Sequence, residues 1–407
     1  MGNSSAWIAS SYQSDFARNY AREGREISDM VHEAVAGTLE AAELPARDVD
    51  AVHVGNAFGQ VFTGQGQLGA MPATVEPDLW GKPAARHEAA CASGSVAVLA
   101  AMADIEAGHY DCVLVIAVEQ ERNVPGHLAP QYLGGAAWMG HEGQDAKYMW
   151  PYMFSQLADE YDRRYGLDDA HLHAIAELNM ANAKDNPLAQ TRGWSFGPGG
   201  FADDDHDNPI VEGRLRRTDC AQVTDGVAGL LLVSDRIRAD RLGAGPAVRI
   251  AGWGHATAGL ALAPKFDRSQ RERYVFPHVR QVVTDAFARA GLNGVGGLDG
   301  IETHDCFSMS EYMAIDHFGI TEPGESWKAV ENGDLARDGA IPVNPSGGLI
   351  GVGHPVGATG VRMLHDAARQ VTGRAGDCQV EGASTFATLN IGGSLTTAVS
   401  FVVTRED

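Results

Sequence analysis

"VDAVHVGNAF" at residues 49–58 and "LDGIETHDCF" at residues 298–307 are two versions of one pattern, 249 positions apart. Each runs apolar, Asp, small, β-branched, two further residues, a polar pair, a small residue and Phe. An amphipathic helix is expected before each. Val31, Val35, Leu39 and Ala42 recur at helical spacing in the first, and Val279, Val283, Phe287 and Ala290 in the second. A Gly-rich loop and a small-residue helix follow each copy, and then an apolar strand, "CVLVIAVE" (112–119) or "CQVEGASTFATLNIGG" (378–393). The order of elements repeats as well as the residues, so the chain reads as a duplicated βα unit. Nearly continuous apolar strands alternating with helices place it in the α/β class, with sheets covered on both faces.

The bulk numbers set limits on what such a fold does. A chain of 407 residues, 44% hydrophobic and 21% charged, has room for two or three sub-domains. Its apolar runs are short and charge-bounded, well under the roughly 18 residues of a membrane span, so no membrane association is expected. Against 31 basic residues stand 53 acidic ones, a net charge of −22, which argues against a nucleic-acid partner. A small anionic ligand needs a local basic patch, and the densest is "EGRLRRTDC" with Arg214, Arg216 and Arg217. Five scattered cysteines without a CxxC pair fit reduced thiols in the cytoplasm, not a disulfide framework or zinc ribbon. No basic-then-apolar leader opens the chain, which agrees with a cytoplasmic location.

The segment 121–211 differs from both copies. It holds "GGAAWMGHEGQDAKYMWPYMF" (134–154), a helical stretch at 153–187 and the polar run "GFADDDHDNP" (200–209). Its Trp, Met, Gly and Asp content reads as an inserted covering or binding unit. The expected halves are then 1–120 plus 212–262, and 263–407.

Three stretches carry chemistry. In "HEAACASGSVAVLAAM" (87–102) Cys91 precedes a small-residue helix, whose free N–H groups and dipole are expected to favour a thiolate; a buried cysteine at a tight turn is the plain alternative. In "NPSGGLIGVGHPVGATG" (344–360) His354 sits among glycines at a helix start, placed to act as a general base or simply to hold the turn. No Walker or dinucleotide spacing supports a phosphate cradle there. "HDCF" (304–307) reads from its own residues as a metal clip, a redox thiol or half of a catalytic site. Further ligands at metal spacing are missing from its neighbourhood in sequence, so no metal is expected. Cys112, Cys220 and Cys378 are assigned to packing, and Tyr, Trp and Met residues of 133–154 to an acyl pocket, the core or an interface.

Together these stretches resemble the thiolase superfamily, and within it the sterol-carrier-protein-type thiolases. The likeness covers nearly the whole chain, including the "DC…VTDGVAGLLLVSD" segment at 219–235. It implies a thiolase fold: duplicated βαβαβαββ halves in a five-layer α-β-α-β-α arrangement, with an inserted loop domain. It implies a coenzyme A-dependent acyltransferase that cleaves 3-ketoacyl-CoA or runs the reverse Claisen condensation. Coenzyme A and acyl-CoA are then substrates, no cofactor is permanently bound, and the chain is expected to form a homodimer or a dimer of dimers. By motif, Cys91 is the acylated nucleophile, His354 its base, and Cys306 the acid/base thiol. His304, with His354 beside it, serves the enolate oxygen, while the amides of Cys91 and Gly392 form a second oxyanion hole. Arg214, Arg216 and Arg217 are the candidate coenzyme A contacts. One departure stands out. Many thiolases carry a second cysteine in a carboxyl-terminal C-x-G motif, and this chain has Asn390 there, so the duty passes to Cys306. The other readings are a carbon–carbon lyase or condensing enzyme on the same scaffold, and a non-catalytic CoA-binding subunit of a complex.

Overall fold

The computed structural model describes residues 4–241 and 247–406. Strands β1 (Trp7–Gln13), β2 (Ala51–Gly55), β3 (Ala84–His87), β4 (Cys112–Glu119), β5 (Ile210–Glu212), β6 (Leu215–Arg216), β7 (Gly226–Val233), β8 (Ala247–Thr257), β9 (Gly300–Thr303), β10 (Thr385–Gly392) and β11 (Thr397–Glu406) appear in chain order. β5 and β6 form a small ribbon, and the other nine share one sheet in the order β3-β2-β4-β7-β1-β8-β11-β10-β9.

That sheet is two half-sheets joined at a narrow seam. β1 and β8 share only two register pairs, Trp7 with Arg249 and Ile8 with Val248. On either side of the seam the order is the same. β2 lies between parallel neighbours β3 and β4, and β4 is antiparallel to β7, which is antiparallel to β1. In the second half β9 is parallel to β10 and bridges Val343, β10 is antiparallel to β11, and β11 to β8. The duplicated stretches thus occupy equivalent strands, β2 and β9. β8 pairs with β11 over ten positions, so the second half-sheet begins at Ala247.

The principal helices are α1 (Ile27–Ala41), α2 (Ser93–Glu106), α3 (Met149–Tyr165), α4 (Asp169–Ala183), α5 (Pro277–Arg289), α6 (Ser308–Phe318) and α7 (Thr359–Val371). α1 packs Met30, Val31, Val35 and Leu39 on the outer face of the first half-sheet. α5 and α6 do the same for the second with Val279, Val283, Phe287 and Met313. α2 and α7 lie between the half-sheets, where Val98, Met102 and Ile105 meet Val361, Leu364 and strand residues from both halves. These are the five layers of the thiolase fold. β2, β4 and β7 are buried along their whole length, as continuous apolar strands covered on both faces must be.

The helical stretch expected at 153–187 is two helices. Gly166, at φ 83°, ends α3, and the Asp168 side chain accepts from the Ala170 N–H to start α4. Gly-Leu-Asp is a stop followed by a cap, a signal overridden by the helical periodicity around it.

Candidate active site

Three loops at the carboxyl ends of the strands meet over one cavity of about 300 Å³. Cys91 enters it from the turn before α2, Cys306 from the turn after β9, and His354 from the turn before α7. His304 sits just behind, fully buried. A ligating atom from each of Cys91, His304 and His354 lies within 4.8 Å of the other two. The two imidazoles stand perpendicular, ring centres 5.2 Å apart.

Buried carboxylates tie down the loops that bear Cys306 and His354. Asp305 accepts from the Leu349 and Ile350 amides and from Asn179 Nδ2, tying "HDCF" to the loop that bears His354. Glu119, at the end of β4, accepts from the amides of Ala57, Phe58 and Gly357. Glu121 accepts from the Val356 amide and lines the cavity. The segment 219–224 is a crosspiece between the loops: the Ala221 N–H donates to the Cys306 carbonyl, and the His354 N–H donates to Thr224 Oγ1.

Burial sets the protonation states. Cys91 keeps part of its surface open to the cavity, yet its thiol is pushed up to about 12, chiefly by desolvation and further by the Glu121 carboxyl. Hydrogen bonds from the Gly393 amide and its own amide pull the other way. The thiolate expected from the helix terminus is therefore overruled: a low-dielectric site costs a charge more than one helix end returns. Cys306, with Ser310 Oγ at 3.6 Å, is also held well above the usual thiol range by burial and by neighbouring Cys91. Desolvation brings His354 down to about 3, and burial lowers His304 too. All four groups rest neutral.

The hydrogen bonds of His354 fix its tautomer. Thr359 Oγ1 donates to the Pro355 carbonyl at 3.1 Å, so its oxygen accepts from His354 Nδ1 at 2.7 Å. With Nδ1 carrying the proton, Nε2 has a free lone pair.

The walls come from two apolar clusters. Phe58, Leu133, Ala136 and Val356 surround Cys91, while Met149, Trp150, Phe154 and Phe307 surround Cys306. Trp138 and Met139, from the same inserted stretch, are exposed instead. Of the basic cluster, Arg214 is engaged by Asp162 and Asp169, and Arg216 by Asp203 and Asp205. Arg217 alone of the three lines the cavity, and it also lines an adjoining pocket with Trp194 and Phe196. Gly393, one residue beyond the expected Gly392, supplies the amide that meets the Cys91 sulfur. Cys112 and Cys378 are buried in packing, whereas Cys220 reaches the cavity wall, its Sγ 3.3 Å from the Arg216 carbonyl. Glu121 has no local sequence signal for that place, since the Val356 amide that holds it comes from another part of the chain.

Comparison with known proteins agrees with this architecture. The thiolase N-terminal domain matches residues 6–192, and the thiolase C-terminal domain-like family matches residues 263–405. An acetyl-CoA acetyltransferase of Methanothermobacter thermautotrophicus is 32% identical over 378 residues, 93% of this chain and 94% of that protein. Human sterol carrier protein 2 is 28% identical, covering 93% of this chain and 68% of its own length. Among solved structures, the Ltp2-ChsH2(DUF35) aldolase superposes with a TM-score of 0.77 at 20% identity, covering 98% of this chain and 97% of that one, a likeness of fold. With both halves matched and the duplicated sheets observed, the chain belongs to the thiolase family.

Proposed function

We infer that the protein is a coenzyme A-dependent acyltransferase that cleaves 3-ketoacyl-CoA by thiolysis or runs the reverse Claisen condensation. The observation that carries this reading is the meeting of Cys91, His304 and His354 within 4.8 Å beside a cavity that Cys306 also lines. Cys91 gives its proton to Nε2 of His354 as the sulfur attacks the 3-keto carbon. The C2–C3 bond then breaks, and its electron pair becomes an enolate whose oxygen His304 stabilises. Cys306 donates a proton to C2, releasing acetyl-CoA and leaving the acyl group on Cys91 as a thioester. A second coenzyme A thiol, deprotonated in turn, attacks that thioester and carries the acyl group away. A thioester intermediate is needed because an oxygen ester is too stable to pass to a thiol.

The amides of Cys91 and Gly393, with Gly392 beside them, serve the acyl oxygen in the second half-reaction. Arg217 is the side chain of its cluster left to meet the coenzyme A phosphates. Residues 121–211 act as the cover, supplying Tyr148, Met149, Trp150 and Phe154 to the cavity. The chain works as a homodimer. β3 pairs on one side only, and its Ala84 and Ala85 are exposed, so its free edge can pair with a second copy. Among the described residues no helix is long and apolar enough to cross a membrane, and the reduced cysteines agree with the cytoplasm.

The test is to mix the protein with acetoacetyl-CoA and coenzyme A. Acetyl-CoA should form, and Cys91→Ala should abolish it. No product at any chain length, with Cys91 inert to iodoacetamide, would replace this reading with a non-catalytic CoA-binding subunit.

A further inference from the structure

Asn390 stands where a second thiol is found in other thiolases, and its contacts give it a task of its own. Ser95 Oγ donates to Asn390 Oδ1 at 2.8 Å, and Asn390 Nδ2 lies 3.1 Å from His304 Nδ1. The order of these bonds matters. With Oδ1 occupied by the serine hydroxyl, the amide turns its N–H toward the imidazole, and Nδ1 must accept. A neutral imidazole accepting at Nδ1 carries its proton on Nε2. Gly360 leaves room for the arrangement: a Cβ there would lie 2.1 Å from Ser95 Oγ and 2.5 Å from Asn390 Oδ1.

We propose that Asn390 is a positioning residue that locks His304 as the Nε2–H tautomer. His304 thereby donates to the substrate oxygen, and the Cys91–His304–His354 cluster is denied the lone pair it needs as a third metal ligand. This rests on the catalytic reading above and adds a consequence for metals. Two histidines and a cysteine this close are a ligand set suited to zinc. Thr359 leaves Nε2 of His354 bare, whereas Asn390 keeps Nε2 of His304 protonated. The two imidazoles are thus held in opposite tautomers, one as base and one as donor.

The first test is the ¹⁵N NMR spectrum of the ¹⁵N-histidine-labelled, deuterated protein, with the His304 signals identified by their loss in His304→Gln. A bare Nδ1 and a protonated Nε2 are expected, and a protonated Nδ1 would overturn the proposal. The second test is Asn390→Asp, which keeps the shape and offers Nδ1 a carboxylate oxygen. That oxygen accepts from Nδ1–H and frees Nε2, so the variant should bind Zn²⁺ alone roughly 10-fold or more tightly than the parent, read by competition with a chromophoric chelator. Adding Cys91→Ala should remove that gain. Cleavage of acetoacetyl-CoA should fall on the order of 100-fold in Asn390→Asp, the usual effect of losing one oxyanion donor. Zinc affinity equal to the parent's would overturn the proposal. If the aspartate variant does not fold, the parent's spectrum decides alone. Were the reaction misread, the tautomer would stand in a protein that never cleaves acetoacetyl-CoA. Were Asn390 misassigned, Nδ1–H would appear in one that does.

Discussion

The loops after β2 and β9 are the same piece of the fold put to opposite uses. Position for position, Gly55-Asn56-Ala57-Phe58 corresponds to His304-Asp305-Cys306-Phe307. Both polar second residues are buried anchors. Asn56 binds Glu119, the Val118 carbonyl and the Gly59 N–H, while Asp305 binds Leu349, Ile350 and Asn179. Both phenylalanines line the same cavity. The first and third positions differ. A Cβ on Gly55 would lie 2.6 Å from the Gly94 Cα, so α2 leaves no space there for an imidazole. In the second half that position holds His304, and the third offers a thiol. Duplication also places Cys91 and His354 before matching helices, α2 and α7, which pack together between the half-sheets. One copy contributes the Cys91 thiol and the other the His354 imidazole to the same cavity.

The largest expected effect breaks this asymmetry at the third position. Cys306→Ala should reduce cleavage of acetoacetyl-CoA by about 10³-fold or more, the scale of a lost acid/base group, while Cys91 still takes up an acyl group from acetyl-CoA. Adding Ala57→Cys should restore nothing, because Gly55 stands where the second half has its imidazole. Recovery of cleavage, measured as acetyl-CoA formed, would mean that the two loops are interchangeable.

A smaller difference should separate the anchors. Asp305→Ala strands two buried amides and one N–H of Asn179, whose other bond, to Glu311, stays. A loss of about 3 kcal/mol in urea unfolding is expected, with kcat down roughly 100-fold as the His304–Cys306 loop loosens. Asn56→Ala should cost about 2 kcal/mol and lower kcat less than 10-fold, since its loop carries no reacting group.

The smallest effect is a pH dependence to which both halves contribute. Burial raises Glu119 to about 7, Asp305 to about 6, and Glu302 and Glu311 to about 8. Each binds its proton more tightly folded than unfolded, so its stabilising protonation is lost as pH rises through the folded value. Buried histidines act on the other side: His87 and His365 fall to about 4 and His354 to about 3, so unfolding takes up protons below about pH 6.5. Above pH 6.5 the histidines no longer contribute, and Tm should fall a few degrees by about pH 8.5. Glu302→Gln should flatten the alkaline limb in differential scanning calorimetry, and an unchanged limb would remove Glu302 from this account.

What the sequence determined by itself was whatever repeats or recurs at short range. The matched decapeptides, the period of Val31, Val35 and Leu39, and the glycines before α7 report local backbone geometry, and they carried the fold and the three loops that meet over the cavity. Only the tertiary structure decided how those loops behave together. It raised the thiol of Cys91 where the helix end alone argued for a thiolate, engaged Arg214 and Arg216 with aspartates, brought Gly393 to the sulfur, and set Asn390 against His304 across 86 residues. Desolvation and hydrogen-bond partnership are sums over neighbours distant in the chain, and no window of sequence contains them.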